Sequence, residues 1–186
     1  AQGSTWSGSC PWSKIWRPSS GCCEAPTARA GPLDLIRPDW PAPERVRAWS
    51  TTRSGGESAG PFASLNLGDH VGDDPHCVAR NRARVLDRLS LPAEPLWLSQ
   101  VHGCEVAQAG NAPRGCVADA AMARAPGQVC AVLTADCLPL LLCDRAGSSV
   151  AAVHAGWRGL AAGVVEQAVG ALGADPGQVL AWLGPA

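Results

Sequence analysis

The 186-residue sequence has no tyrosine, one phenylalanine and one methionine, so its aromatic content rests almost wholly on eight tryptophans. It also lacks an excess of either charge: 15 Lys and Arg face 16 Asp and Glu, for a net charge of −1. That balance provides no basic stripe for phosphates or an anionic bilayer, and so argues against nucleic-acid and membrane partners. Long hydrophobic runs are missing too. The longest, Val129 to Cys143, is interrupted by Thr134, Asp136 and Pro139 and is too short to span a bilayer. The nine cysteines are an odd number, contain no C-x-x-C pair and show no framework of spacings. Cys130 and Cys143 lie in apolar strand-like runs, where a thiol acts as a small hydrophobe. Free thiols in a reducing, cytoplasmic setting are therefore expected. Only four histidines occur, so imidazole chemistry must be local.

What is present reads as an ordinary globular interior: 46% hydrophobic and 17% charged residues, long enough for one domain with a real core. The rich supply of Ala, Gly, Pro and Arg has the character of a GC-rich genome. Residues 1–32 stand apart. Ala1 to Ala30 carries three Trp and three Cys among Ser, Pro and Gly, with neither helical nor strand periodicity and no signal-peptide apolar core. This segment is read as a disordered or misassigned extension, and residues 33–186 as the folded domain.

Within that domain, Arg45 to Thr51 alternates as a strand would. Asp74 and Pro75 form a helix start, with Asp as N-cap and Pro at the first position. Val78, Val85, Leu86 and Leu89 recur at helical spacing until Pro92. Leu96 to Val101, Val129 to Thr134, Leu138 to Cys143 and Ser149 to His154 read as strands, with a turn over Asp144 to Gly147. Trp157 to Leu172 is helical in period, and Val179 to Leu183 is a last strand. Strands and helices mixed in this order predict an α/β fold on a mixed sheet.

Three short segments carry potential chemistry: Gln100-Val101-His102-Gly103, Thr134 to Pro139, and His154 to Gly159. Each sets a ligand-type side chain at a predicted strand end or turn, where sites in α/β sheets collect. His102, Cys137 and His154 together form a borderline-soft donor set suited to Zn²⁺, with a fourth position open. Taken singly, each is explained more simply as a packed or hydrogen-bonded residue. Asp136 is a candidate general base, a partner orienting a ligating histidine, or simply a turn residue. Arg158 offers a bidentate contact to phosphate, or is a solvated helix residue. Trp157 can stack on a flat ligand or serve packing. Asn66, Asp73 and Arg82 can line a pocket, although turn and cap roles explain Asp73 equally. His70 and His76 are read as surface or outer residues. The glycines make neither a dinucleotide fingerprint nor a P-loop.

Taken in order, Thr51 to Gly56, Ser64 to Leu67, Val71-Gly72-Asp73, Gln100 to Gly103, Ala118-Asp119-Ala120, Thr134 to Pro139, His154 to Gly159 and Leu183 to Ala186 resemble the YfiH family. Its members are also labelled polyphenol oxidase or laccase-domain proteins. The resemblance runs from about Leu33 to Ala186. It implies a mixed-sheet layered α/β fold, similar to cytotoxic-necrotizing-factor-type cysteine deamidases, and zinc held by His102, Cys137 and His154. It further implies phosphorolysis of adenosine, inosine, guanosine and methylthioadenosine, with purine nucleosides and phosphate as partners, and deamination of adenosine. One open-site metal would serve both reactions, with Asp136 moving protons and Asn66, Trp157 and Arg158 binding substrate and phosphate. Copper-dependent phenol oxidation is a rival, since Cu²⁺ competes for such sites in vitro; so is a thiol hydrolase using Cys137 and a histidine. The family pattern continues beyond Ala186, so a C-terminally shortened, inactive domain is an alternative expectation.

Overall fold

A computed structural model describes residues 31–186; the expectation of a disordered or misassigned extension over residues 1–32 lies, for residues 1–30, outside them. Among the described residues the elements are β1 (Leu35–Ile36), β2 (Ser50–Thr51), α1 (Pro75–Leu89), β3 (Val106–Gln108), β4 (Ala120–Ala123), β5 (Leu138–Asp144), β6 (Val150–Ala155), α2 (Trp157–Ala162), α3 (Val164–Leu172) and β7 (Val179–Leu183), with short 3-10 turns at Gly60–Phe62 and Pro176–Gln178. β1 and β2 form a small antiparallel pair. The other five strands form one sheet in the order β3-β4-β6-β5-β7. β3 runs parallel to β4, while every other neighbouring pair is antiparallel. The fold is thus the expected α/β type with a mixed sheet.

The central strands are largely buried on both faces, and their sequences show it as near-continuous apolar runs. On one face Ala120, Met122, Leu140, Leu142, Ala151 and Val153 meet Val164, Ala168 and Leu172 of α3. The i, i+4, i+8 spacing of those α3 residues puts them on one stripe of the helix. On the other face Ala121 and Ala123 pack with Leu96, Ala107, Ala109 and Ala118. A third cluster joins Val85 and Leu89 of α1 to Leu33 and Leu65. Each fully buried Val or Leu of this kind contributes about 1.5–3 kcal/mol.

α1 begins as read: Asp74 caps it by accepting the His76 N–H at 2.8 Å, and Pro75 occupies the first turn. It ends at Leu89, short of Pro92, because Ser90 turns left-handed (φ 48°) and its N–H reaches the Leu86 and Asp87 carbonyls. The single helix expected over Trp157 to Leu172 is two, α2 and α3. Gly163 at φ 88° breaks the run and caps both. Arg45 to Thr51 yields strand only at Ser50–Thr51. Leu96 to Val101 and Val129 to Thr134 are extended but form no regular strand, meeting the rest by isolated bridges at Leu96–Cys130 and Ser99–Val117. No helix among the described residues is long and apolar enough to cross a membrane. The six described cysteines, Cys77, Cys104, Cys116, Cys130, Cys137 and Cys143, are all free thiols. Burial pushes the thiols of Cys130 and Cys143 up to about 12 and about 11, as expected of cysteines serving as core hydrophobes.

Candidate metal centre

Three separate stretches of chain deliver the ligand-type residues to one point. His154 lies near the end of β6, opposite Pro139 of β5. It is buried on the sheet face away from α3, because Val153 on one side of it points into the α3 core. Cys137 immediately precedes β5 in the turn that follows Thr134. His102 follows the extended 96–101 segment and is itself left-handed, at φ 60°. The ligand atoms of the three residues all lie within 4.8 Å of one another, and the His102 Nε2 is 3.8 Å from the Cys137 Sγ. The two imidazoles meet edge to face, 4.8 Å between centroids.

The loops are held together by the chain itself. The Gln100 amide works as a substitute strand: its Nε2 donates to the Leu133 carbonyl at 2.8 Å while its Oε1 accepts the Leu133 N–H at 2.7 Å. That pair of bonds ties the segment leading to His102 to the segment leading to Cys137. Asp119, fully buried just before β4, accepts the main-chain N–H groups of Val101 (3.2 Å), His102 (2.9 Å) and Gly103 (2.7 Å). The same carboxylate is 2.8 Å from the His154 Nδ1. Burial opposes its ionisation, but His154 and the three amides together hold its carboxyl below the usual carboxylate value.

The chemistry of the donor set fits a metal ion. Two imidazoles and a thiol converge, and the cradle is shaped to leave room among them. A Cβ placed on Gly156 would stand 2.8 Å from the His102 Cδ2 and 3.0 Å from the Cys137 Sγ, so this glycine permits the close approach. A tetrahedral zinc site has ligand atoms about 3.3–3.6 Å apart, given bonds of about 2.0–2.3 Å, a spacing the three side chains here approach. Burial, the Asp136 charge and hydrogen bond, and Asp119 all push the Cys137 thiol up. That setting is the reverse of the electropositive one that activates a free nucleophilic cysteine.

The remaining expected residues surround the centre unequally. Asp136 is exposed beside Cys137, while the carboxylate that contacts a histidine of the group is that of Asp119. Asp119 lies in the Ala118-Asp119-Ala120 motif, where no local signal separates a buried orienting Asp from a turn Asp. Trp157 is 71% exposed, with the Arg158 guanidinium 4.8 Å over its ring. Both project at the start of α2, just after His154. Asn66 is engaged within its own loop: its amide donates to Gly68 O and Asp73 Oδ2, and its Oδ1 accepts from Gly68 N. Asp73 also accepts from Ser58, and the fully buried Asn81 bonds Ser58, Ser64 and Asn66, making one polar knot. Arg82 stacks 4.3 Å over Trp97 and bonds the Leu67 carbonyl. His70 and His76 are exposed.

Comparison with known proteins places the molecule. Residues 47–186 match the family model described as multi-copper polyphenol oxidoreductase laccase. A purine nucleoside phosphorylase of Pseudomonas aeruginosa is 57% identical over 151 residues, covering 81% of this chain and 61% of that protein. The purine nucleoside phosphorylase YfiH of Escherichia coli K12 is 54% identical over 153 residues, covering 82% and 63%. Among crystal structures, a Neisseria meningitidis protein superposes with a TM-score of 0.76 at 46% identity, covering 82% of this chain and 62% of the other. A Bacillus licheniformis YfiH protein does so with a TM-score of 0.69 at 32% identity, covering 75% and 58%. The chain therefore spans less than two thirds of the length of these relatives. On the family model, the relatives and the shared fold alike, the chain belongs to the YfiH family.

Proposed function

We propose that this chain carries the metal centre of a zinc-dependent purine nucleoside phosphorylase, acting on adenosine, inosine, guanosine and methylthioadenosine, with adenosine deamination as a second activity. The observation that carries the reading is the convergence of the His102, Cys137 and His154 ligand atoms within 4.8 Å, with both histidines fixed by one buried carboxylate. The relatives' name, purine nucleoside phosphorylase, supports the reaction class.

When bound by His102, Cys137 and His154, the metal supplies Lewis-acid stabilisation of negative charge in the reacting centre. The chain's own residues do the rest. Trp157 offers a flat exposed face to the purine, and Arg158 a positive charge for the incoming phosphate. In phosphorolysis a phosphate oxygen bonds the ribose C1′ as the bond from C1′ to the purine breaks, and its electron pair leaves on the base. That base must take up a proton, and Asp136, exposed beside Cys137, is the group that would relay one. Asn66 contributes by shaping the loop it knots together with Asp73.

The family model's copper description defines the rival. With four histidines in the whole sequence, two of them exposed and away from this group, the chain cannot build several copper sites. A single copper competing for the N/S site in vitro is expected. Metal analysis of protein produced without added copper should find zinc. Incubating that protein with adenosine and phosphate should yield adenine and ribose-1-phosphate; inosine would register deamination. Cys137→Ala should lose the metal and both activities, and phosphorolysis by metal-free Cys137→Ala would refute the reading.

A further inference from the structure

The His102 and His154 side chains come from segments far apart in sequence, yet a single buried side chain touches both of those segments. The Asp119 Oδ1 faces the His102 main-chain nitrogen at 2.9 Å and the His154 Nδ1 at 2.8 Å. Its Oδ2 faces the Val101 and Gly103 nitrogens at 3.2 and 2.7 Å. The carboxylate is itself anchored, since the Asp119 main chain bonds the Glu105 carbonyl and accepts the His154 N–H.

We propose that Asp119 is the positioning residue of the metal centre: its carboxylate selects the Nδ1–H tautomer of His154 and clamps the His102 backbone in its left-handed turn, so that both imidazoles turn Nε2 toward one point. This inference rests on the metal reading above.

The argument is one of donors and acceptors. Main-chain nitrogens at Val101, His102 and Gly103 are obligatory donors, so both oxygens of Asp119 already act as acceptors. The fourth neighbour, the His154 Nδ1, must then bring the hydrogen, which leaves the Nε2 lone pair free for a metal. His102 uses its Nε2 as well, since that atom faces the Cys137 Sγ at 3.8 Å. The left-handed turn at His102 is unfavourable for a residue with a Cβ. It is held because three successive N–H groups curl around one anion. No asparagine can replace this carboxylate. With its NH₂ at the Oδ1 position it would face His154 and the His102 N–H, and the imidazole would have to switch tautomer. At the Oδ2 position it would face the Val101 and Gly103 N–H groups and open the turn.

Two measurements on the full chain test the proposal. Nitrogen-15 NMR of the imidazoles, on protein freed of metal by chelation, should find His154 as the Nδ1–H tautomer in the wild type. Zinc competition against a chelating dye should find Asp119→Asn weaker by roughly 10–100-fold, with the His154 tautomer shifted toward Nε2–H. Asp144→Asn is the control for a merely structural carboxylate: Asp144 also gathers turn N–H groups, from Ser148 and Ser149. It should destabilise the fold while leaving zinc affinity and tautomer unchanged. Wild-type His154 in the Nε2–H form would overturn the proposal, and so would Asp119→Asn binding zinc no more weakly than Asp144→Asn. If Asp119→Asn does not fold, the wild-type tautomer alone decides. A wild type that binds no zinc while His154 holds the Nδ1–H form would sink the metal function and leave the tautomer assignment standing.

Discussion

At position 156 the absence of a side chain is a requirement of geometry. Gly156 has ordinary negative φ, so its backbone would accept alanine. The space would not: the added methyl would press on the His102 ring at 2.8 Å and on the Cys137 sulfur at 3.0 Å. Relief means moving a ligand, because the β6 backbone behind Gly156 is fully paired with β5. Gly156→Ala should therefore lower zinc content and raise the zinc dissociation constant while changing the melting temperature little. Unaltered zinc stoichiometry in purified Gly156→Ala would show that the ligands have slack. At this scale His154 and Cys137 could be picked out in the sequence through the ordered motifs around them. The left-handed turn at His102 could not, since its cause, Asp119, lies 17 residues further along the chain.

Among elements, the most exposed to test is the pairing of two segments that fail to become strands. Leu96 to Val101 and Val129 to Thr134 read as strands in sequence, yet their contact near the centre runs through the Gln100 amide and the Leu133 main chain. A side chain there takes the place of a ladder, and sequence periodicity cannot distinguish the two. Gln100→Ala should cost about 1–3 kcal/mol, the penalty for leaving the Leu133 groups unpaired, and should weaken metal binding because it frees the His102 segment from the Cys137 segment. Urea unfolding and zinc competition read the two effects separately. β4 escaped sequence reading for a different reason: Ala120 to Ala123 is buried on both faces, so it shows no alternation and carries none of the β-branched residues that mark strands. α1 was legible because its start is written locally. Asp74→Ala should lower stability by about 1 kcal/mol, measurable as a fall in melting temperature with α1 otherwise intact.

Over the whole molecule, acid and chelators should act differently. Asp73 and Asp144 are both held below the ordinary carboxylate value. For each, burial works against the charge and is outweighed, by Ser58, Asn66 and the Asp74 N–H around Asp73, and by Ser148 and Ser149 around Asp144. Groups with depressed folded-state values bind fewer protons folded than unfolded, so stability falls as pH falls. Their contribution is complete above the ordinary value of 3.8 and is lost as pH descends through the lower folded values. Urea midpoints should thus drop steeply below about pH 4, less so in Asp144→Asn. Metal removal should lower stability only by the linkage of binding. None of the three apolar clusters contains His102, Cys137 or His154. Chelated protein should keep its far-UV circular dichroism and a cooperative melt; collapse of both would mean that the metal holds the fold.

Several features follow from the sequence by itself because their causes lie within a few residues of one another: the N-cap of α1, the strands β5, β6 and β7, and the turn after Asp144; His102, Cys137 and His154 stand out as a set only through the ordered motifs around them. Whether those three meet was a matter for the tertiary structure. Their convergence depends on sheet order, on the Gln100 bridge and on one buried carboxylate that gathers four nitrogens from two segments. Hydrogen bonds of that kind act across distance in sequence, so no local pattern records them.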